Sequence, residues 1–138
     1  MEMTLAILKP DCVRRKIVGN SIHFIEESGF SIRSMKIVQM DQREAEGFYA
    51  VHQGKPFFDG LIRFMTSGPC IPMVLEKENA VQAFRNCIGS TDPSNAAEGT
   101  LRRMYASSVQ ENVVHGSDSE ENAKKEIAFF FSTIEIIE

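Results

Sequence analysis

Short apolar runs that alternate with amphipathic helical segments predict a small α+β sandwich of ferredoxin-like type, although a small parallel α/β sheet would leave a similar trace. Pro and Gly residues punctuate short elements, and no linker, repeat or low-complexity run separates two halves. A chain of 138 residues that is 43% hydrophobic can bury a core without disulfides or a structural metal, so residues 1–138 are read as one domain.

The elements follow in order. Met3 to Leu8 is a short apolar run stopped by Lys9-Pro10-Asp11, the mark of a fully buried strand. Val18, Ile22 and Ile25 share one face of a helix that Gly29 closes, and Ser31 to Met40 forms the second strand. Asp41 with Glu44 has the spacing of a capping box, opening a short helix with Ala45, Phe48 and Tyr49. Pro56 starts another helix, from Phe57 to about Thr66. Cys70 to Leu75 is a third buried strand, and the next helix buries Val81, Phe84 and Ile88 before Gly89 ends it. The stretch from Ser90 to Gln110, with a short Leu101–Tyr105 segment, is long for a connection in a compact domain and reads as functional. Val113 and Val114 make the last strand. Ser119 then caps a helix whose inward residues are Ala123, Ile127, Phe130 and Phe131.

The charge balance narrows the function classes. A net charge of −4 supplies no global field for nucleic acid or anionic lipid, so any bound anion must be held locally. There is no basic stripe, which argues against a nucleic-acid role. Cys12, Cys70 and Cys87 are odd in number and scattered, against a disulfide framework or a zinc site, and they suit a reducing cytosol. The apolar start is too short for a signal peptide or a membrane span, so a cytoplasmic protein is expected.

The densest polar constellation is N-V-V-H-G-S-D-S, residues 112–119, a strand end running into a helix start. The free N–H groups and positive dipole end of that helix favour an anion, and Gly116 permits close backbone approach. His115 stands at this place, and a neutral imidazole is a competent nucleophile toward phosphorus. The local sequence also fits a surface histidine beside a cap. His23, within a helix, and His52, in a turn, have no such neighbours. A histidine nucleophile needs cationic partners, and Lys9, Arg85 and Arg102 are the candidates, each of which could equally be a solvated charge. Neither G-x-x-x-x-G-K-[ST] nor G-x-G-x-x-G occurs, so side chains must do more of the phosphate holding.

N-V-V-H-G-S-D-S resembles the active-site signature of the nucleoside diphosphate kinases. The likeness extends through A-I-L-K-P-D, G-K-P-F-F-D-G-L, F-M-T-S-G-P, S-T-D-P, E-G-T-L-R and E-N-A-K-K-E-I-A-F-F-F, in order and over nearly the whole chain. The resemblance implies a ferredoxin-like α+β sandwich, a four-stranded antiparallel sheet covered by helices, with the long loop over a shallow nucleotide cleft. It implies a phosphotransferase that moves the γ-phosphoryl group of a nucleoside triphosphate, mainly ATP, to a nucleoside diphosphate by a ping-pong mechanism through phosphorylated His115.

By the same resemblance, Lys9 reaches the ribose 3′-hydroxyl and the γ-phosphate, Asn112 also serves the ribose, and Arg85, Thr91 and Arg102 hold the phosphates. Phe57 stacks on the base, Val109 packs on its other face, Leu61 completes an apolar edge and Tyr49 lines the cleft near the histidine. A Pro-Phe-Phe helix start would ordinarily be core, and Phe58 is read so; only the resemblance singles out Phe57. Ser117 and Glu126 match the pair that orients the imidazole. Glu126 lies seven residues beyond Ser119, roughly 10 Å up a helix, so the strand carrying His115 must run back along that helix.

Mg²⁺ is implied with the nucleotide, and Asp118 either touches it through water or is an ordinary cap-region acid. With no Asn, Gln or Asp recognised at the base edge, base discrimination should be weak. A non-catalytic nucleotide-binding scaffold of the same fold is the alternative function, against which the set Lys9, Arg85, Arg102, Asn112, His115 and Glu126 speaks. Homo-oligomers, tetramers or hexamers, are implied, with the loop containing Pro93 in the contacts. With Glu138 soon after the last helix, the longer tail that some members use between subunits is not expected.

Overall fold

The computed structural model describes residues 1–137. Strand β1 (Glu2–Leu8) leads into helices α1 (Pro10–Arg14) and α2 (Val18–Glu27), then β2 (Ser31–Met35), α3 (Gln42–Phe48), α4 (Phe58–Met65) and β3 (Ile71–Lys77). Helices α5 (Ala80–Ile88) and α6 (Leu101–Tyr105), strand β4 (Val114–Gly116) and helix α7 (Glu120–Phe130) complete the order. No helix among the described residues is long and apolar enough to cross a membrane.

The strands form one sheet in the order β2-β3-β1-β4, and every pairing is antiparallel. The parallel alternative is therefore excluded. Both architectures place a helix between strands; here each unit is split, because β3 lies between β1 and β2, and β1 lies between β3 and β4. Strand β1 reads as an unbroken apolar run because it is buried on both faces. Leu5, Ile7 and Val74 pack under α3, α4 and α7 with Ala45, Phe58, Ile127 and Phe130. Ala6, Leu8, Met73 and Leu75 face the other way, against Ile25, Phe84, Ile88, Leu101 and Val113.

Local signals hold where they are purely local. The capping box is present, with Glu44 N donating to Asp41 Oδ1 at 2.8 Å and Asp41 N donating to Glu44 Oε1 at 2.9 Å. The second strand is shorter than the expected Ser31 to Met40. Its ladder shifts register between Ile32 and Ser34 and ends at Met35, followed by a single bridge between Val38 and Cys70. Pro72 gives a reason: it accepts from Lys36 N at 3.2 Å but has no N–H to return the bond. Helix α1 was not anticipated; Pro10 sits in its first turn, where a fixed φ costs nothing.

The last strand is displaced by about one residue from the Val113–Val114 expectation. It spans Val114–Gly116, so His115 lies within the strand, and Val113 just before it has φ +75°. For a β-branched residue that conformation costs roughly 1–3 kcal/mol and must be imposed by its surroundings.

Gly89 ends α5 at φ +89°, and a Cβ there would lie 2.6 Å from Thr100 Oγ1. Gly89→Ala is expected to destabilise the fold by about 2–4 kcal/mol, combining backbone strain with overpacking, as measured by urea unfolding.

Candidate active site

His115 sits opposite Ile7 across the β1–β4 pairing, at the edge of the sheet. Its Nε2 lies 2.8 Å from Glu126 Oε1, and the Ser117 hydroxyl donates to the same oxygen at 2.8 Å. Ser117 is itself buried and accepts from Leu5 N at 3.3 Å, so the carboxylate is tied back to the central strand. An ionised carboxylate only accepts, which assigns the ring proton to Nε2 and leaves the Nδ1 lone pair unblocked. Phe48 and Tyr49 meet the imidazole edge-on, with centroids at 5.5 and 6.3 Å. Helix α7 packs along β1, the neighbour of β4, which is how Glu126 returns to His115.

The histidine opens into a cleft of about 800 Å³. Lys9, Tyr49, Phe57, Leu61, Arg85, Thr91, Arg102, Val109, Asn112, Asp118 and Glu126 all line it with His115. Ser117 does not; it lies beneath Glu126 and reaches the imidazole only through that carboxylate.

The cations are held in different ways. Lys9 is buried, and its Nζ donates to Asn112 Oδ1 at 2.8 Å. Burial first, and then the charge of Arg102, bring the ammonium down to about 8, against an opposing pull from Asp11. Asn112 in turn donates to Val109 O at 2.8 Å and Thr91 O at 3.2 Å, which fixes its oxygen toward Lys9. Arg102 is anchored by Gly89 O at 2.9 Å and Val114 O at 2.8 Å, and burial followed by Arg85 lowers its guanidinium to about 10. Arg85 and Thr91 are exposed.

The expected anion site at the helix N-terminus is not where the cleft lies. Ser119, Glu120 and Glu121 are not among the lining residues, and α7 instead presents its side through Asn122, Lys125, Glu126 and Phe129. Negative charge would therefore be met by side chains. Gly116 lines the cleft, and it has a second reason besides the one inferred: a Cβ there would come 2.9 Å from Phe84 Cδ2 and 3.1 Å from Ile88 Cδ1, so core packing also requires glycine.

Phe57 and Val109 are exposed at 50% and 56%, while Leu61 is buried and Phe58 belongs to the core as expected. Sequence reasoning missed His52. A 3-10 turn over Ala50–His52 directs it into the cleft wall, stacked on Tyr49 at 6.2 Å and edge-on to Phe57 at 5.2 Å. Its Nδ1 and the Tyr49 hydroxyl are buried without partners among the described residues, the kind of polar atom that a ligand completes. Burial lowers the His52 imidazole and raises the Tyr49 phenol far above its ordinary range, so the phenol stays neutral. Gln110 was missed as well. It lines the cleft, and a Cβ on Gly60 would lie 3.0 Å from its Nε2, so an amide does stand beside the Phe57 and Leu61 wall.

Asp118 lines the cleft and accepts from Asn122 Nδ2 at 2.6 Å. No cluster of three His, Cys, Asp or Glu side chains among the described residues could hold a metal ion. The donor set thus fits a divalent cation carried mainly by a ligand's own oxygens, with one carboxylate nearby.

Known proteins match this arrangement along its length. The family model for nucleoside diphosphate kinase matches residues 2–136. The nucleoside diphosphate kinase of Salinibacter ruber is 59% identical over 136 residues, which cover 99% of this chain and 96% of that protein. That of Chloroherpeton thalassium is 56% identical over 137 residues, covering 99% and 97%. Among solved structures, the Aquifex aeolicus nucleoside diphosphate kinase superimposes with a TM-score of 0.94 at 40% identity and covers 99% of both chains. A halophilic nucleoside diphosphate kinase from Halobacterium salinarum, in complex with CDP, gives 0.95 at 39% identity, covering 99% of this chain and 91% of that one. With the fold, the cleft and the full-length matches in agreement, the chain belongs to the nucleoside diphosphate kinase family.

Proposed function

We propose that the protein transfers the γ-phosphoryl group of a nucleoside triphosphate, mainly ATP, to a nucleoside diphosphate through a covalent intermediate on His115 Nδ1. The observation that carries this reading is the 2.8 Å contact of His115 Nε2 with Glu126, which leaves Nδ1 as the free nucleophile in a cleft lined by Lys9, Arg85 and Arg102. Nδ1 attacks the γ-phosphorus, a P–N bond forms, and the bond to the β–γ bridging oxygen breaks with its electron pair leaving on the diphosphate. A terminal phosphate oxygen of the acceptor diphosphate then attacks the phosphohistidine, and Nδ1 recovers its lone pair. One cleft serves both halves. The CDP complex of the Halobacterium relative supports a nucleoside diphosphate as occupant.

Lys9, Arg85, Thr91 and Arg102 hold the phosphates, Lys9 and Asn112 bind the ribose 3′-hydroxyl, and Phe57 and Val109 enclose the base beside Leu61. Mg²⁺, carried by the nucleotide phosphates, would neutralise their charge, with Asp118 reaching it through water. We read residues 1–138 as one domain. Three free thiols, one of them half-buried, suit a cytoplasmic location. A homo-oligomer, a tetramer or hexamer, is favoured by the exposed apolar side chains Met35, Ile37, Ile134 and Ile137 on and near the edge strand β2, and its mass in solution would test this.

The direct assay is phosphoryl exchange between ATP and dTDP. Initial rates at several fixed acceptor concentrations should give parallel double-reciprocal lines, whereas intersecting lines would indicate a ternary complex. A second expectation concerns the sugar. Lys9 and Asn112 would each lose a partner without the 3′-hydroxyl, at roughly 1–3 kcal/mol per group. Phosphoenzyme formation from 3′-deoxy-dTTP should then be about 100-fold slower than from dTTP in quenched flow, a barrier difference of about 2.7 kcal/mol. Equal rates would require a different nucleotide pose.

A further inference from the structure

Asp11 stands outside the residues assigned so far. It lies two residues after Lys9, in the first turn of α1, and is 1% exposed. Its Oδ2 accepts from Val113 N at 3.1 Å, across 102 residues of sequence, while its Oδ1 is buried without a hydrogen-bond partner among the described residues. An acid in a first turn ordinarily stabilises its own helix. Asp11 instead reaches the one residue of the β4 approach that is held at φ +75°.

Val113 governs what surrounds it. Asn112 before it receives Lys9 Nζ, Val114 after it receives Arg102, and His115 follows one residue later. The Val113 carbonyl accepts from Lys9 N at 2.8 Å, so Lys9 and Asp11 grip both polar groups of the left-handed residue. Asp11 also bears on Lys9 electrostatically: among the groups acting on the ammonium, burial and Arg102 disfavour its charge and Asp11 favours it. Burial likewise raises the Asp11 carboxyl, against Lys9 and the backbone N–H groups of Val113 and Cys12. Arg85, His115, Lys125 and Glu126 line the same cleft.

We propose that Asp11 is a positioning residue that clamps Val113 in its left-handed conformation, so aiming Asn112 and His115 into the cleft, and whose negative charge favours the cationic form of Lys9 where phosphates bind. This rests on the reading of the cleft as the phosphoryl-transfer site.

Asp11→Asn and Asp11→Ala separate the two roles. Asparagine retains an acceptor oxygen for Val113 and removes a charge whose burial is unfavourable, so the protein should fold with a Tm near that of wild type. The pH profile of kcat/KM for phosphoenzyme formation, which reports the free enzyme, should shift its alkaline limb about one unit lower, as when an ammonium loses a nearby opposite charge. In a Lys9→Arg background the same change should leave the limb in place, because guanidinium does not titrate there. Asp11→Ala loses the clamp too, and at pH 6.5 should form phosphoenzyme about 10-fold more slowly than Asp11→Asn, the order of effect of a misplaced reacting group. An unmoved limb in well-folded Asp11→Asn would overturn the electrostatic role, and equal rates for the two variants at pH 6.5 would overturn the clamp. Should alanine fail to fold, the asparagine profile still decides the first role, and rescue of folding by asparagine supports the second. Failure of the underlying reading would look different: wild type would form no phosphoenzyme, or His115→Ala would still form it.

Discussion

The His115→Ala protein is expected to fold, to bind nucleotide and to lose phosphoryl exchange by at least about 10⁴-fold, the scale on which removal of a covalent nucleophile acts. The other side chains near the site explain why no substitute should step in. Ser117 is buried and commits its hydroxyl to Glu126, and Ser119 spends its oxygen on the N–H of Asn122 at 3.1 Å, outside the cleft lining. Tyr49 faces the cleft, but its phenol is held neutral by burial. His52 has an imidazole in the cleft wall, yet no carboxylate among the described residues is bonded to it to set its tautomer. Brief reaction of the wild type with γ-labelled ATP should give label that survives alkali and is lost in mild acid, as a P–N bond requires, and the alanine variant should give none. Residual acid-labile label in the variant would implicate His52, and acid-stable label a serine.

Glu126→Gln should slow phosphoenzyme formation by about 10³-fold, roughly 4 kcal/mol in barrier, with a Tm within a few degrees of wild type. The carboxylate now accepts at 2.8 Å from both His115 Nε2 and the Ser117 hydroxyl. A glutamine can satisfy the serine with its oxygen, but it then turns an NH₂ toward the imidazole and drives the ring proton onto Nδ1, where the nucleophilic lone pair should be. It also removes the negative charge that offsets the positive charge developing on the ring during attack. Quenched flow measures the rate, and ¹⁵N chemical shifts of the imidazole read the tautomer, which a purely structural role for Glu126 would leave unchanged. A near-wild-type rate would mean that packing against Phe48 and Tyr49 alone suffices to place the ring.

The residues that sequence could reveal are those whose reason is local. The Asp41–Glu44 box and the helix end at Gly89 depend on a few consecutive residues, and both stand where they were expected. The partnership of His115 with Glu126 came through family resemblance, because nothing in the spacing of the two shows that α7 doubles back along β1. Gly116 illustrates a residue with a further, hidden reason: its neighbours Phe84 and Ile88 come from α5, which only the folded sheet brings beneath β4. The left-handed Val113 left no sign, since valine is among the last residues one would place there. His52 was equally hidden, because its orientation depends on a 3-10 turn between α3 and α4 and not on a pattern of side chains.

The uneven exposure of the cleft bears on how such a protein can change over generations. Lys9, Tyr49, Arg102 and Asn112 are each less than a tenth exposed and are bonded or packed into the framework, so a substitution at any of them disturbs folding and chemistry together. Phe57 and Val109, the walls assigned to the base, are half exposed and lie outside both cores. Replacements there risk little of the molecule's stability and can alter which bases are welcomed. Taste for substrate is thus free to drift by single steps, while the buried part of the machinery that moves phosphate can be revised only by several coordinated changes at once.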